Sequence, residues 1–281
     1  MRSIAVLNQK GGVGKTTTAV NLSAALAAAG QRVCLIDLDP QGHASLHLGV
    51  SPDANQRTIY DVLIGGATLA EARRQAGENL WLVGSHIDLA AAEIELAGVA
   101  GREAILRDKL LEDAQSTDTP PLDFLIIDCP PSLGILTLNA LAAVEEVLLP
   151  LQPHFLALHG LTQLLRTIDW VAERVNGRLR LGGVVLCLYE SGTRLAAEVA
   201  RDVEAFFLTG RERRSAWSEA RVFNARIRRN IRLAEAPSFG QSIFQYAADS
   251  HGAADYRQLA EELLEAPMHG STAPNGSART V

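Results

Sequence analysis

Residues 3–17 read SIAVLNQKGGVGKTT. The first five are a short apolar run of strand composition, which breaks into a glycine-rich turn; residues 16–29 then have helical composition until Gly30 stops them. Strand, glycine turn and helix in that order form a phosphate cradle. Glycines let backbone N–H groups curl around phosphate oxygens, and the helix N-terminus adds partial positive charge. Within Lys10-Gly11-Gly12-Val13-Gly14-Lys15-Thr16-Thr17, Lys15 is expected to bridge β- and γ-phosphates, the Thr16 hydroxyl to ligate Mg²⁺, and Thr17 to reach the α-phosphate.

Working outward, residues 32–37 (RVCLID) read as the next buried strand, so the first 37 residues make one strand, helix, strand crossover with parallel neighbours. Further strand candidates lie at 80–83, 124–128, 146–150, 181–188 and 222–227. Helical stretches at 88–97, 102–114, 135–143, 155–175 and 194–207 separate most of them, and 249–265 reads as a closing amphipathic helix. This alternation predicts an α/β fold: a doubly wound, mostly parallel sheet flanked by helices. Residues 116–121 are a turn-rich connector, 1–266 a single domain, and 267–281, rich in Gly, Ser, Thr and Pro, a disordered tail.

Composition narrows the class. With 281 residues, 47% hydrophobic and 21% charged, the chain can bury a large core. Cys34, Cys129 and Cys187 are far apart in apolar contexts, offering neither a disulfide framework nor a CxxC metal site; a reduced, cytoplasmic protein is expected. No run of about 18 apolar residues suggests a membrane span. Only three lysines (10, 15 and 109) occur among 26 basic residues, and two of them sit in the phosphate loop, where a compact ammonium and a forked guanidinium are not interchangeable. Net charge is −6, but residues 211–232 hold eight arginines and two glutamates, +6 in all, leaving −12 elsewhere.

Two acidic segments complete the site. Asp37 and Asp39 in LIDLDPQGHAS close the second strand on one side, where they can share a site with Mg²⁺ and water. Residues 124–128 (FLIID) end in Asp128, the Walker B arrangement, expected to hold Mg²⁺ through water.

The phosphate loop, with Lys10 in addition to Lys15, resembles the deviant Walker A motif of the ParA/MinD superfamily of P-loop ATPases. DLDPQGHAS (37–45), DCPPS (128–132) and RNIRLAEAPSFGQSI (229–243) resemble further motifs of that family, so the resemblance runs from about residue 3 to 265. It is nearest to chromosomal, Soj-like ParA partition ATPases. That resemblance implies Mg²⁺-dependent hydrolysis of ATP to ADP, with Lys10 reaching the partner subunit's nucleotide in an ATP-sandwich homodimer and Asp39 positioning the attacking water. It implies Asn230 and Pro237 on the adenine side, non-specific binding of double-stranded DNA, a ParB-like centromere-binding partner that stimulates hydrolysis, and a nucleoid-associated location. Arg194, Arg229 and Arg232 lie in segments matching the family's DNA-binding residues. The sequence departs from the family at Arg228, where most members have proline, and in 208–220, longer and more basic than usual.

Other readings compete. A ParA-like positioner of another cargo, such as a chemoreceptor cluster or microcompartment, would share this chemistry. A MinD-like membrane regulator would need a basic amphipathic C-terminal helix, whereas this chain ends in acidic ELLEA and a polar tail.

Overall fold

A computed structural model describes residues 1–50, 56–115, 121–154, 157–211 and 214–266, with the backbone alone for 157–159. The expected tail 267–281 and residues 116–120 of the expected connector lie outside the described residues. Eight strands form one sheet: β1 (Arg2–Val6), β2 (Val33–Asp37), β3 (Arg73–Gly77), β4 (Leu80–Val83), β5 (Phe124–Asp128), β6 (Glu146–Leu151), β7 (Arg180–Tyr189) and β8 (Arg221–Arg228). Their order is β3-β4-β2-β5-β1-β6-β7-β8, and every pair is parallel except β3 with β4.

The predicted doubly wound, mostly parallel sheet is therefore present. The chain runs from β1 outward to β2, returns to place β5 between them, and then builds the other half through β6, β7 and β8. Ligands of such sheets bind where the winding reverses, outside the carboxyl ends of the strands. Here that crevice lies above β1, between β5 and β6.

Helices cover both faces, which is why the central strands are apolar without alternation. On one face α1 (Lys15–Ala28) is buried nearly all round. Beside it on the same face packs α2 (His43–His47), and on the other face lie α3 (Ile59–Leu63), α4 (Leu69–Ala72), α5 (Leu89–Glu95), α6 (Ile105–Gln115), α7 (Ile135–Ala143), α8 (Ala157–Arg174) and α9 (Arg194–Gly210). The chain closes with α10 (Ile231–Glu235), α11 (Ile243–Tyr246) and α12 (His251–Glu265). Ala5 and Leu7 join the core beneath α6 to α9, whereas Ile4 and Val6 join the core shared with α1 and α12, as the two-residue period of a strand requires. No helix among the described residues is long and apolar enough to cross a membrane.

Strand β3 and the short helices α2, α3, α4, α10 and α11 were not predicted from sequence. RRQAG has no apolar period because β3 is a half-exposed edge, and its charges keep that edge from pairing with another chain. At the opposite edge, Glu262 of α12 accepts hydrogen bonds from the Asn224 and Ala225 N–H groups of β8 at 2.8 and 2.6 Å, capping donors that would otherwise be open.

Candidate functional site

The loop between β1 and α1 lies at the crevice. Gly12 and Gly14 have φ of +74° and +93°, left-handed backbone that a side chain would strain, and Gly14 carries the turn directly into the helix. Gly11 has open space where a Cβ would lie, so the loop presents its backbone outward. Val13 is buried and plugs the loop onto the sheet. At the loop's start, Asn8 receives the Lys10 N–H at 3.0 Å and donates to the Pro150 carbonyl at 2.7 Å, fastening it to β6.

Lys15 is buried to 8% exposure, with its Nζ 3.4 Å from the Lys10 carbonyl. Burial lowers its pKa, opposed by the negative charge of Asp128 and Asp39. Such a cation is short of counter-charge and suited to an anion. Thr16 and Thr17 are half-buried on the first turn of α1.

Asp37 and Asp128 are partners in the register of β2 and β5 and both have 0% exposure. Asp37 accepts from the Ser45 N–H at 2.8 Å and the Ser45 hydroxyl at 2.7 Å, and more weakly from the Asp39 N–H at 3.3 Å. Burial nevertheless raises its pKa to about 6, helped by the Asp39 charge. Neither carboxylate oxygen of Asp128 has a hydrogen-bond partner. The Thr16 hydroxyl faces this carboxylate without closing a bond to it. Burial first, then the Asp37 charge, pushes the Asp128 pKa well above its usual value.

Two buried carboxylates and a hydroxyl form a hard oxygen donor set suited to Mg²⁺ rather than to a soft metal. The orphaned Asp128 oxygens support this fit, because buried anions without donors call for a cation or a water held by one. Asp39 is half-buried at the rim, where its Oδ1 accepts the Gln41 N–H at 2.9 Å.

On the far side, Asn230 caps α10 by accepting the Arg232 N–H at 2.8 Å, and Pro237 lies in the turn Ala236–Phe239. That turn packs on α2, which follows the Asp37 to Asp39 segment; Gly49 and Gly240 approach so closely that a Cβ on Gly240 would sit 2.8 Å from the Gly49 Cα.

The arginines of 211–232 do not form one patch. Arg214 lines a cleft with Arg180 at the amino ends of the strands, and Arg221 lies over the Phe223 ring at 4.3 Å. Arg226 pairs with Glu204 and Arg228 with the buried Asp255. Arg229 pairs with Glu190 and Arg232 with Glu235, both exposed contacts. Arg194 is exposed at the first turn of α9, after the carboxyl end of β7, the end where Arg229 and Arg232 follow β8. The charge of this segment is plain in the sequence, but the acids Glu190, Glu204 and Asp255 come from distant residues, and only Glu235 is local. Arg213 lies outside the described residues.

Two contributors were not among the expected site residues. Ser45 holds Asp37 and in turn receives the Ser85 N–H at 3.0 Å, tying the second strand's carboxylate to the end of β4. His154 stands 2.6 Å from the Lys10 Nζ. Ser45 stands in the quoted DLDPQGHAS segment, where nothing local marks it as the partner of Asp37, and a lone histidine carries no spacing to read.

A protein-family model for the AAA domain matches residues 1–181, well over half of the chain. The chromosome partitioning protein ParA of Caulobacter vibrioides is 44% identical over 265 residues, covering 94% of each chain. The chromosome-partitioning ATPase Soj of Treponema pallidum is 43% identical over 264 residues, covering 94% of this chain and 97% of that one. Among solved structures, a Mycobacterium smegmatis protein described as cobyrinic acid a,c-diamide synthase, with bound ATP analogue and magnesium, superposes with a TM-score of 0.77 at 38% identity and 94% coverage of both chains. A P-loop between β1 and α1, the paired acids of β2 and β5, and relatives at this level over nearly the whole chain lead to one assignment: the chain belongs to the ParA/Soj family of chromosome-partitioning ATPases.

Proposed function

We propose that this chain is a Mg²⁺-dependent ATPase that drives chromosome or plasmid segregation, switching between an ADP-bound monomer and an ATP-sandwich homodimer. The observation that carries the reading is the buried, unpartnered Asp128 carboxylate beside Asp37 and Thr16, at the mouth of a glycine loop bearing an undercompensated Lys15. The magnesium bound by related structures fits this donor set.

In the reaction, the backbone of 11–14 and Lys15 hold the β- and γ-phosphates, and Thr17 holds the α-phosphate. Thr16, Asp37 and Asp128 hold the metal, which when bound neutralises charge on the phosphates. Asp39 orients a water so that its oxygen attacks the γ-phosphorus while the bond to the β,γ-bridging oxygen breaks, giving ADP and phosphate. Lys10 completes the charge stabilisation from the other subunit, so turnover is slow until two subunits meet. Asn230 and Pro237 form the adenine side.

ATP favours the dimer because only the triphosphate gives Lys10 of each subunit a γ-phosphate to reach; this differential affinity is what shifts the population. The dimer binds double-stranded DNA through Arg194, Arg229 and Arg232, placing the protein on the nucleoid. A ParB-like partner stimulates hydrolysis and releases it.

The test is size-exclusion chromatography of the full chain with Mg²⁺ and either ATP or ADP. Wild type should elute as a dimer with ATP only, and Lys10→Ala as a monomer with both while still binding ATP. A Lys10→Ala protein that dimerises normally would contradict the role in trans.

A further inference from the structure

Lys10 is exposed, and an exposed lysine ammonium ordinarily samples many rotamers in water. Here its Nζ lies 2.6 Å from the His154 Nε2 of the same subunit. Both ends of this contact stand on fixed elements. Asn8 bonds the Lys10 N–H on one side and the Pro150 carbonyl on the other, so the lysine's backbone is tied to the strand that leads to His154. Between them a small cavity of about 50 Å³ is lined by Val13, Leu149, Leu151, Leu161 and Leu164, with Asn8 and Gln152, so the imidazole sits beside a largely apolar wall. Burial and the Lys10 charge both lower the His154 pKa, so near neutral pH the ring is uncharged and its Nε2 accepts from the ammonium.

We propose that His154 is a positioning residue for Lys10: it holds the ammonium against its own loop in the nucleotide-free subunit and must release it before Lys10 crosses to a partner's nucleotide. The consequence for dimerisation rests on the trans role proposed above, whereas the holding itself rests on the geometry of the pair. Since the contact is made only before dimerisation, it opposes the dimer. An exposed hydrogen bond from an ammonium to a neutral imidazole shifts an equilibrium by up to about fivefold, and two such bonds break per dimer, so removing both favours the dimer by up to about 25-fold.

The chain has only three lysines, which makes the test direct. In protein labelled with ¹⁵N at lysine, the side-chain ammonium spectrum contains at most three resonances, and that of Lys10 is identified by its loss in Lys10→Arg. In the nucleotide-free protein the Lys10 ammonium should exchange with water several-fold more slowly than in His154→Ala. His154→Gln, which keeps an acceptor, should restore slow exchange, and Lys109, paired with Glu112 far from this loop, should be unaffected in all variants. Equal Lys10 exchange in wild type and His154→Ala would overturn the proposal. With the holding established, the ATP concentration giving half-maximal dimer should fall in His154→Ala and return in His154→Gln; an unchanged midpoint would overturn the opposing role. Failure of the trans role shows separately, as a Lys10→Ala protein that still dimerises, and leaves the ammonium spectrum unchanged.

Discussion

Asp37 and Asp128 face each other across adjacent parallel strands, both fully buried, yet they are held in opposite ways: Asp37 by three N–H and O–H donors, Asp128 by none. The serine that closes the DxDPQGxxS segment thus prepares one carboxylate and leaves the other for a cation. Replacing Asp128 by Asn removes the repulsion and supplies an amide that can donate to Asp37. The metal-free protein should then be stabilised by about 1–2 kcal/mol, a rise in melting temperature of about 2–4 °C per kcal/mol. In the same variant Mg²⁺ should no longer tighten ATP binding. Calorimetry with and without Mg²⁺ checks both; a destabilised variant that keeps its Mg²⁺ dependence would remove Asp128 from the metal site.

Two buried groups should impose opposite pH dependence over one interval. Burial raises the Asp37 pKa to about 6, so between about pH 4 and 6 the folded state holds a proton that the unfolded chain has lost, and stability falls as pH rises, by about 3 kcal/mol. Burial lowers the His47 pKa to about 4 and leaves its Nε2 without a partner, so between about pH 4 and 6.5 the unfolded chain holds the extra proton and stability rises with pH by about 3 kcal/mol. Asp128, whose pKa burial also raises, acts in the same direction as Asp37, so in wild type the falling side should outweigh the rising one. Relative to wild type, denaturant unfolding should show a falling contribution with pH in His47→Gln, where the two carboxyls act without the imidazole, and a rising one in Asp37→Asn. Parallel profiles for all three proteins would refute both assignments.

The sheet was legible because its strands, buried on both faces, are written as apolar runs, and because Asp37 and Asp128 end two such runs while Lys15 opens the helix after the glycine loop that follows a third. What sequence could not supply was pairing between distant segments. Arg228 and Asp255 are 27 residues apart, Lys10 and His154 144 apart, and nothing local in either stretch marks the contact. The edge strand β3 escaped for a related reason: its conformation is set by its neighbour, not by its own polar residues.

Gly240 carries the turn of Pro237 against the segment that follows α2. Its φ is +65°, and an added Cβ would lie 2.8 Å from the Gly49 Cα, a backbone atom that cannot swing aside. Gly240→Ala should therefore cost about 2–3 kcal/mol of stability. If Pro237 and Asn230 form the adenine side, the displaced turn should weaken ATP binding but leave inorganic tripolyphosphate, which engages only the phosphate loop, unaffected. Equal losses for the two ligands would instead indicate a disturbance transmitted to Lys15.

The arginines near the end of β8 should divide by function. Arg228 donates to Asp255 through both its backbone and its guanidinium, and Asp255 is buried to 5% exposure, so Arg228→Ala strands a buried carboxylate. Because Arg228 itself is partly exposed, the expected cost is about 2 kcal/mol rather than that of a fully buried pair. Arg229 and Arg232 pair with Glu190 and Glu235 at the surface, where water screens such contacts, so their guanidiniums can exchange a carboxylate for a DNA phosphate at little cost. The double variant Arg229→Glu, Arg232→Glu should melt within a few degrees of wild type and bind ATP normally, yet lose DNA retention. Removing each phosphate contact lowers the slope of log affinity against log salt by about 0.9, so milder Ala replacements should reduce it by about 2 per subunit. Filter binding across a salt series distinguishes the outcomes: retention unchanged at low salt in the Glu variant would remove these residues from the DNA surface, whereas lost retention with an unchanged slope in the Ala variant would point to dimer formation instead.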